Sequence, residues 1–415
     1  MPKPVPIPIV VVAEPAHAVL SPSASSRWIP CPGSVSAQQA VGPDTSNEYS
    51  ILGTAAHALL EISLRLGSHP LDFVGATLIP AHPEVTEEMA EAVNVACEYI
   101  EDYLDAHGHD KVELHIERRV AIGPMIDVAP EFCNGTSDVQ LVHKDKSRLV
   151  TIDYKHGSGL KVGAQDNPQL MLYSAGGRLA EGGDKFKQYC NVIIQPRAGK
   201  RISVDEWTYN DSKLTRWLRE TVAPSARAAL LPNAPRNAGT HCRWCRAAPV
   251  CRTYRQKAIA IATTEFSPLD EEGEPVNDPR DIPLSEYPRI LHEAEVLQNW
   301  INQVKGHALH VLESGGKIEG WRLGWSKRRR EWDNTEAAIE WVESQGVELD
   351  DYMPRELLSP AGMTKLLKHL KKYPRKARGS KEEPANPLDA FIRYSIPKPA
   401  LKPADSDEFD ELDDE

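Results

Sequence analysis

The sequence predicts an α/β fold with a mixed central sheet flanked by helices, followed by a smaller C-terminal α+β region. Three observations carry that expectation. Between residues 53 and 231 the apolar periodicity runs helix, helix, three strands, helix, two strands, helix. A stretch rich in acid, Pro and Gly at 267–283 separates this body from a second helical pattern. The chain has 415 residues, 41% hydrophobic and 26% charged, enough for one large or two ordinary domains with an ample core.

Each element has its own signal. GTAAHALLEISLRL (53–66) places apolar residues at helical spacing, and 84–108 does so again, with Thr86 as cap, early acids and a closing glycine. KVELHIERRVAI (111–122) reads as a strand, and 136–142 with 148–154 as a hairpin across KDKSR. Residues 164–180 become helical past Pro168; 190–197 and 201–209 are two more strands; 214–231 is a helix that Pro224 is expected to break. Beyond the divide, 286–314 is a long helix, GWRLGWSKRRREW suggests a hairpin, and short helices follow near 335–344 and 361–372. The expected organisation is an N-terminal arm at 1–16, a main domain at 17–264, an acidic linker at 265–284, an accessory α+β region at 285–372, and a disordered tail at 373–415.

The net charge of −12 does not exclude a polyanionic partner once it is placed along the chain. Residues 405–415 and 265–280 carry −8 and −5, so the rest is near neutral and holds basic clusters at 196–201, 326–330 and 365–381. The apolar run near the start is short and interrupted by prolines, and no stretch is long enough to span a bilayer. The expectation is a soluble intracellular protein with no membrane partner.

Four constellations carry chemistry. Asp138 opens one strand of the hairpin, Asp153 closes the other, and Lys155 follows on the same face as Asp153. Two carboxylates suit a hard divalent cation and an ammonium suits a phosphate, although Asp at strand ends is also common in turns. His57 and Glu61 lie one helical turn apart, as do Gln169 and Tyr173. Cys242, Cys245 and Cys251 are spaced C-x2-C-x5-C, three of only seven cysteines packed into ten residues, which points to a metal or cluster. His241, Cys31, Cys133 and Cys190 compete as fourth ligand; Cys31 sits in the rigid setting SRWIPCPGS, and mid-helix Cys97 reads as structural.

In order along the chain, Cys31, His57, Asp138, Asp153-x-Lys155, Gln169-x3-Tyr173, Cys242, Cys245 and Cys251 resemble the RecB-like branch of the PD-(D/E)XK nucleases. The similarity is closest to members clasped by a [4Fe–4S] cluster, such as the AddB subunit and the CRISPR-adaptation exonucleases. SPSASSRWIPCPGS, GTAAHALLE, GTSDVQLV and CRWC further resemble an uncharacterised phage and prophage branch, over about residues 17–260.

The resemblance implies a restriction-endonuclease-like PD-(D/E)XK core and a metal-dependent DNA exonuclease of phage-type recombination, replication or repair. It implies Mg²⁺ or Mn²⁺ held by Asp138, Asp153, His57 and the carbonyl of Tyr154, with Lys155 catalytic and Gln169 and Tyr173 as the signature after the catalytic strand. Cys31, Cys242, Cys245 and Cys251 match the cluster ligands, with Zn²⁺ as the rival occupant. Asp153 stands where many members carry Glu, and Arg197 is a weaker candidate for a phosphate contact. Expected partners are DNA and a single-strand-binding or other replication or recombination protein, in the cytoplasm of a bacterium or a phage-infected cell. The rival function is a DNA-end-binding module whose cutting is weak or supplied by a partner.

Overall fold

In the computed structural model the described residues are 18–41, 48–159, 161–198, 203–265, 283–325, 330–347, 359, 360, 363, 366, 367, 370, 388–394 and 399–403. The N-terminal arm, nearly all of the acidic linker, most of the basic runs at 326–330 and 365–381, and the acidic end lie outside them. The chain divides into two compact units, Met1–Ile301 and Asn302–Glu415. Among the described residues, no helix is long and apolar enough to cross a membrane.

The first unit is mixed α/β. It opens with the short helices α1 (Ser25–Trp28) and α2 (Ser34–Ala40), then the longer α3 (Glu48–Leu66) and α4 (Glu87–His107). Thr86 caps α4 as expected, its hydroxyl accepting from the Met89 N–H at 3.1 Å. Strands β1 (Val112–Ala121), β2 (Asn134–His143), β3 (Arg148–Tyr154), β4 (Gln188–Gln195) and β5 (Ser203–Asn210) form one sheet in chain order. All neighbouring pairs are antiparallel except β3–β4, which is parallel because α5 (Pro168–Ala180) crosses over between them. The β2–β3 turn is tightened by Asp145, whose carboxylate accepts from the Ser147 N–H at 2.9 Å.

Both faces of the sheet are covered. On one, Val139, Leu141, Val150, Ile152, Val192 and Ile194 pack with Leu59 of α3 and Val93 and Ile100 of α4. On the other, Val142, Leu149, Tyr189 and Tyr209 pack with Met171, Leu172 and Tyr173 of α5. The close approach of α5 depends on Gly176 and Gly177. A Cβ there would lie 2.6 Å from Val120 Cγ2 and 2.7 Å from the Gln140 amide, respectively.

After β5 come α6 (Asp211–Trp217), a π-helical turn at Leu218–Val222, and α7 (Ala223–Ala229). Pro224 therefore does not break the helix. It sits in the first turn of α7, where the widened turn ahead of it absorbs its missing N–H. α8 (Arg252–Glu265) and the first part of α9 (Tyr287–Glu313) complete this unit, tied by Tyr254, whose hydroxyl donates to the Val296 carbonyl at 2.9 Å.

In the second unit, β6 (Trp321–Trp325) and β7 (Arg330–Trp332) do not form the hairpin that GWRLGWSKRRREW suggests. Each pairs instead with a strand from the stretch expected to be a disordered tail: β6 with β9 (Pro399–Pro403) and β7 with β8 (Ile392–Tyr394). Local spacing favoured neighbours in sequence, whereas a strand's hydrogen bonds go to whichever partner the tertiary fold supplies. α10 (Thr335–Ser344) lies where its periodicity predicts it, and the helix near 361–372 falls largely outside the described residues.

Candidate functional site

The hairpin β2–β3 carries the acids to one end of the sheet. The Val139–Ile152 pair closes the described ladder, and one step further the same register sets Asp138 beside Asp153. On the other side of β2, the pairs Ile116–Val139 and Arg118–Ser137 set Glu117 opposite Asp138, with pairing interrupted at that one position. Glu117 has φ of +49°, a left-handed backbone inside a strand, which L side chains adopt at a cost. Three carboxylates, Glu117, Asp138 and Asp153, thus line up across three adjacent strands.

His57 comes to this row from α3. Its Nδ1 lies 3.5 Å from Asp138 Oδ2. Ligand atoms of His57, Glu117 and Asp138 all fall within 4.8 Å of one another, a convergence suited to a metal ion. Asp138 is fixed by the Tyr154 N–H, which donates to Oδ2 at 2.9 Å. The buried Tyr154 ring meets His57 edge-on at 5.7 Å between centroids. Glu61, one turn beyond His57, does not join the site and pairs with Arg65 at 2.8 Å.

Beside this set lies a second group. Asp153 is 3% exposed; its Oδ1 accepts from Gln169 Nε2 at 2.8 Å. Oδ2 faces the Lys155 ammonium, also at 2.8 Å. Lys155 Nζ in turn donates to Gln169 Oε1 at 3.4 Å. Gln169 is delivered by the start of α5, where the Asn167 side chain caps the helix by accepting from the N–H groups of Gln169 and Leu170. Tyr173 is buried one turn on, in the core contact with Gly135, and its carbonyl accepts from Gln140.

The electrostatics follow from burial and crowding. Burial raises the Asp153 carboxyl above its usual range, Lys155 opposes that rise, and Asp138 adds to it. Burial pulls Lys155 down, but Asp153 and Asp138 outweigh it and hold the ammonium above its ordinary value. Burial, with Asp138 and Asp153 nearby, raises the Tyr173 hydroxyl. Two carboxylates and an imidazole are a hard, oxygen-dominated donor set that fits Mg²⁺ or Mn²⁺.

The sequence points to Asp138, Asp153, Lys155, Gln169, Tyr173, His57 and Tyr154, and the structure gathers all seven at one end of the sheet. Glu117 was missed. Its signal is visible only afterwards: in KVELHIERRVAI it is one of several charges on a strand, and nothing local marks it as facing Asp138. Arg197 is engaged elsewhere, bridging Glu88 at 2.8 Å and donating to the His156 carbonyl at 3.3 Å.

A second cluster forms from the ends of the first unit. Cys31 and Cys251 lie close enough to act electrostatically on both Cys242 and Cys245, and Cys245 on Cys242. Backbone N–H groups point at their sulfurs: Asn237 donates to Cys31 Sγ at 3.3 Å and Gly239 to Cys242 Sγ at 3.5 Å. Cys245 accepts from the Ala247 N–H. Such N–H···S donors favour negative sulfur, but burial outweighs them, pushing the Cys242 thiol up to about 11 and raising that of Cys245. The fourth place in the group goes to Cys31. Cys133 and Cys190 are buried in the two sheet cores, Cys133 with its thiol pushed up to about 12 by burial, and His241 is bonded to the Asn237 carbonyl. Cys97 packs against the α3–α4 core.

Among solved structures, one titled "Crystal structure of SSO0001" is similar at 12% identity, covering 52% of this chain and 91% of that chain. Its TM-score is 0.23, too low for the two folds to be compared element by element. A family described as "Protein of unknown function (DUF2800)" matches residues 17–407, nearly the whole length, and the chain belongs to that family.

Proposed function

We propose that this protein is a metal-dependent DNA nuclease with a PD-(D/E)XK core of the RecB-like kind, acting as an exonuclease in recombination, replication or repair. The observation that carries the reading is the convergence of His57, Glu117 and Asp138 beside the Asp153–Lys155–Gln169 group. A structural sheet gains nothing from aligning like charges across adjacent strands. A phosphodiesterase does, because the aligned acids hold a cation where the scissile phosphate enters.

His57, Glu117 and Asp138 would supply the donors for Mg²⁺ or Mn²⁺, with Asp153 beside them in the row. A bound divalent cation lowers the pKa of attacking water and neutralises charge on the phosphoryl oxygens. Lys155, kept as an ammonium between Asp153 Oδ2 and Gln169 Oε1, donates to a phosphate oxygen and stabilises the charge that develops there. Gln169 orients both by donating to Asp153 and accepting from Lys155. Asn167, through the cap, holds Gln169 in place.

The four cysteines are read as ligands of a [4Fe–4S] cluster that joins the two ends of the nuclease domain. A single zinc, which takes four thiolates at about 2.3 Å, is the rival occupant.

The test is degradation of end-labelled linear DNA by purified, metal-loaded protein with Mg²⁺ or Mn²⁺ added. Wild type shortens the DNA, and Asp153→Ala and Lys155→Ala lose that activity by at least about a hundredfold while keeping fold and cluster absorbance. Binding of DNA ends without cutting by wild type supports the rival end-binding role instead. Equal cutting by all three proteins removes these residues from the chemistry.

A further inference from the structure

We infer that the outer surface of the cysteine-bearing segment at residues 243–252 binds single-stranded DNA. The Trp244 indole is the platform on which an unpaired base stacks, and the arginines around it take the backbone phosphates. This rests on the reading of the protein as a DNA nuclease given above, and it names the form of DNA held. It does not depend on which metal the cysteines bind.

The burial pattern of this segment is the reverse of what a core selects. Within CRWCRAAPVCR (242–252), the small residues Ala247 and Ala248 are buried in one cluster with Cys242 and Cys245. The two largest apolar residues, Trp244 and Val250, are instead 62% and 60% exposed. Burying an indole is among the largest gains a fold can make, so an indole left in water beside buried alanines is informative. Its backbone is tied down. Gln38 Nε2 of α2 donates to the Trp244 carbonyl at 3.5 Å, and the Cys245 N–H closes a turn on the Cys242 carbonyl at 3.1 Å.

The charge around the indole has one sign. Between Glu220 and Glu265 the chain carries seven Lys and Arg and no acid. Arg227 and Lys257 are paired with Asp127 and Glu293. Arg236, Arg243, Arg252 and Arg255 are exposed, and the Arg243 guanidinium lies over the Trp244 ring, 5.3 Å from its centroid. An exposed aromatic ring among guanidinium groups matches single-stranded nucleic acid, because every unpaired base has a π-face for the ring and a phosphate for the cations. A duplex keeps its bases stacked on each other and offers mainly phosphates. An acidic peptide would meet the charge and leave the indole without a flat partner.

The experiment uses the full chain as wild type, Trp244→Ala, Trp244→Phe and Arg252→Ala. Each is titrated into labelled oligo(dT) and into a blunt duplex of equal length, followed by fluorescence anisotropy, with no divalent cation added so that nothing is cut. Trp244→Ala is expected to bind the single strand at least about fivefold more weakly than wild type and the duplex equally well. Trp244→Phe, which keeps an aromatic face, stays near wild type. Arg252→Ala lowers the slope of log affinity against log salt on the single strand by about 0.7. Should Trp244→Ala fail to fold, bromodeoxyuridine-substituted oligonucleotide is photocrosslinked to wild type and the attachment mapped by mass spectrometry, with Trp244 the expected site. Equal single-strand affinity in wild type and Trp244→Ala, equal losses on single strand and duplex, or crosslinks only outside 243–252 overturn the surface and leave the nuclease reading standing. A wild type that is a dimer by light scattering, with Trp244→Ala a monomer, gives the indole to a second copy and overturns it likewise. Wild type that binds neither DNA refutes the nuclease reading, and the inference with it.

Discussion

Glu117 stands opposite Asp138 across β1 and β2, in the one position where the ladder between those strands is interrupted. The backbone at Glu117 is left-handed, so the strand accepts local strain at the point where its side chain joins His57 and Asp138. Strain of that kind persists only where surrounding structure enforces it, and here the enforcing structure is nine other register positions of the same strand pair.

The proposed cation site is tested by titration. Mn²⁺ titrated into the full chain, followed by calorimetry, is expected to bind wild type, with affinity lowered at least about tenfold in Asp138→Asn and in Glu117→Gln. Glu61→Gln, outside the converging set, is expected to bind as wild type does. Unchanged affinity in Asp138→Asn removes the carboxylate row as the cation's seat.

The loop carrying Cys31 makes a prediction about stability. The Gly33 N–H donates to the Pro235 carbonyl at 2.8 Å, and a Cβ on Gly33 would lie 2.5 Å from the Ala234 carbonyl oxygen. Gly33→Ala is expected to cost about 1–3 kcal/mol in urea unfolding and to loosen the Cys31 loop from residues 234–236. Gly53, inside α3, is the control, because a Cβ added there would meet nothing within 4 Å. Gly53→Ala leaves stability unchanged or raises it by about 1 kcal/mol. Equal effects at both sites would show that the close approach at Gly33 has no energetic consequence.

His156 sets a pH dependence. It is buried, its Nδ1 is 2.9 Å from the Tyr154 hydroxyl, and burial with Arg197 nearby lowers its pKa from 6.5 to about 4. The unfolded chain therefore takes up a proton at higher pH than the folded one. The group has no effect on stability above 6.5; as pH falls from 6.5 toward 4, stability declines by at most about 3 kcal/mol. Asp153, whose carboxyl is raised by burial, acts in the opposite sense. Comparing wild type with His156→Asn across that range isolates the histidine: the variant's unfolding free energy should fall less steeply. Parallel slopes would place the imidazole in contact with solvent.

Much of the candidate site was legible because its residues sit at element boundaries that local patterns reveal. Asp138, Asp153 and Lys155 were readable from the hairpin's alternation, and Gln169 and Tyr173 from one helical turn past Pro168. The Cys242–Cys251 spacing marked itself. The β6 and β7 partners were not legible, since β8 and β9 come from a stretch whose composition suggests no structure. Helical spacing paired His57 with Glu61, and only the family resemblance set it with Asp138 and Asp153, because spacing names neighbours one turn away and is silent about the sheet end that faces them.

By itself, then, the sequence determined the order of elements and the residue types available for chemistry, because side-chain periodicity and turn chemistry are local. Which of those residues meet was decided by tertiary structure. Register across three strands aligned Glu117, Asp138 and Asp153; the packing of α3 on the sheet brought His57 to them; and closure of the unit's ends chose Cys31 over Cys133 and Cys190. Contacts between residues distant in the chain depend on how whole elements bury their apolar faces against each other, and no short window of sequence contains that information.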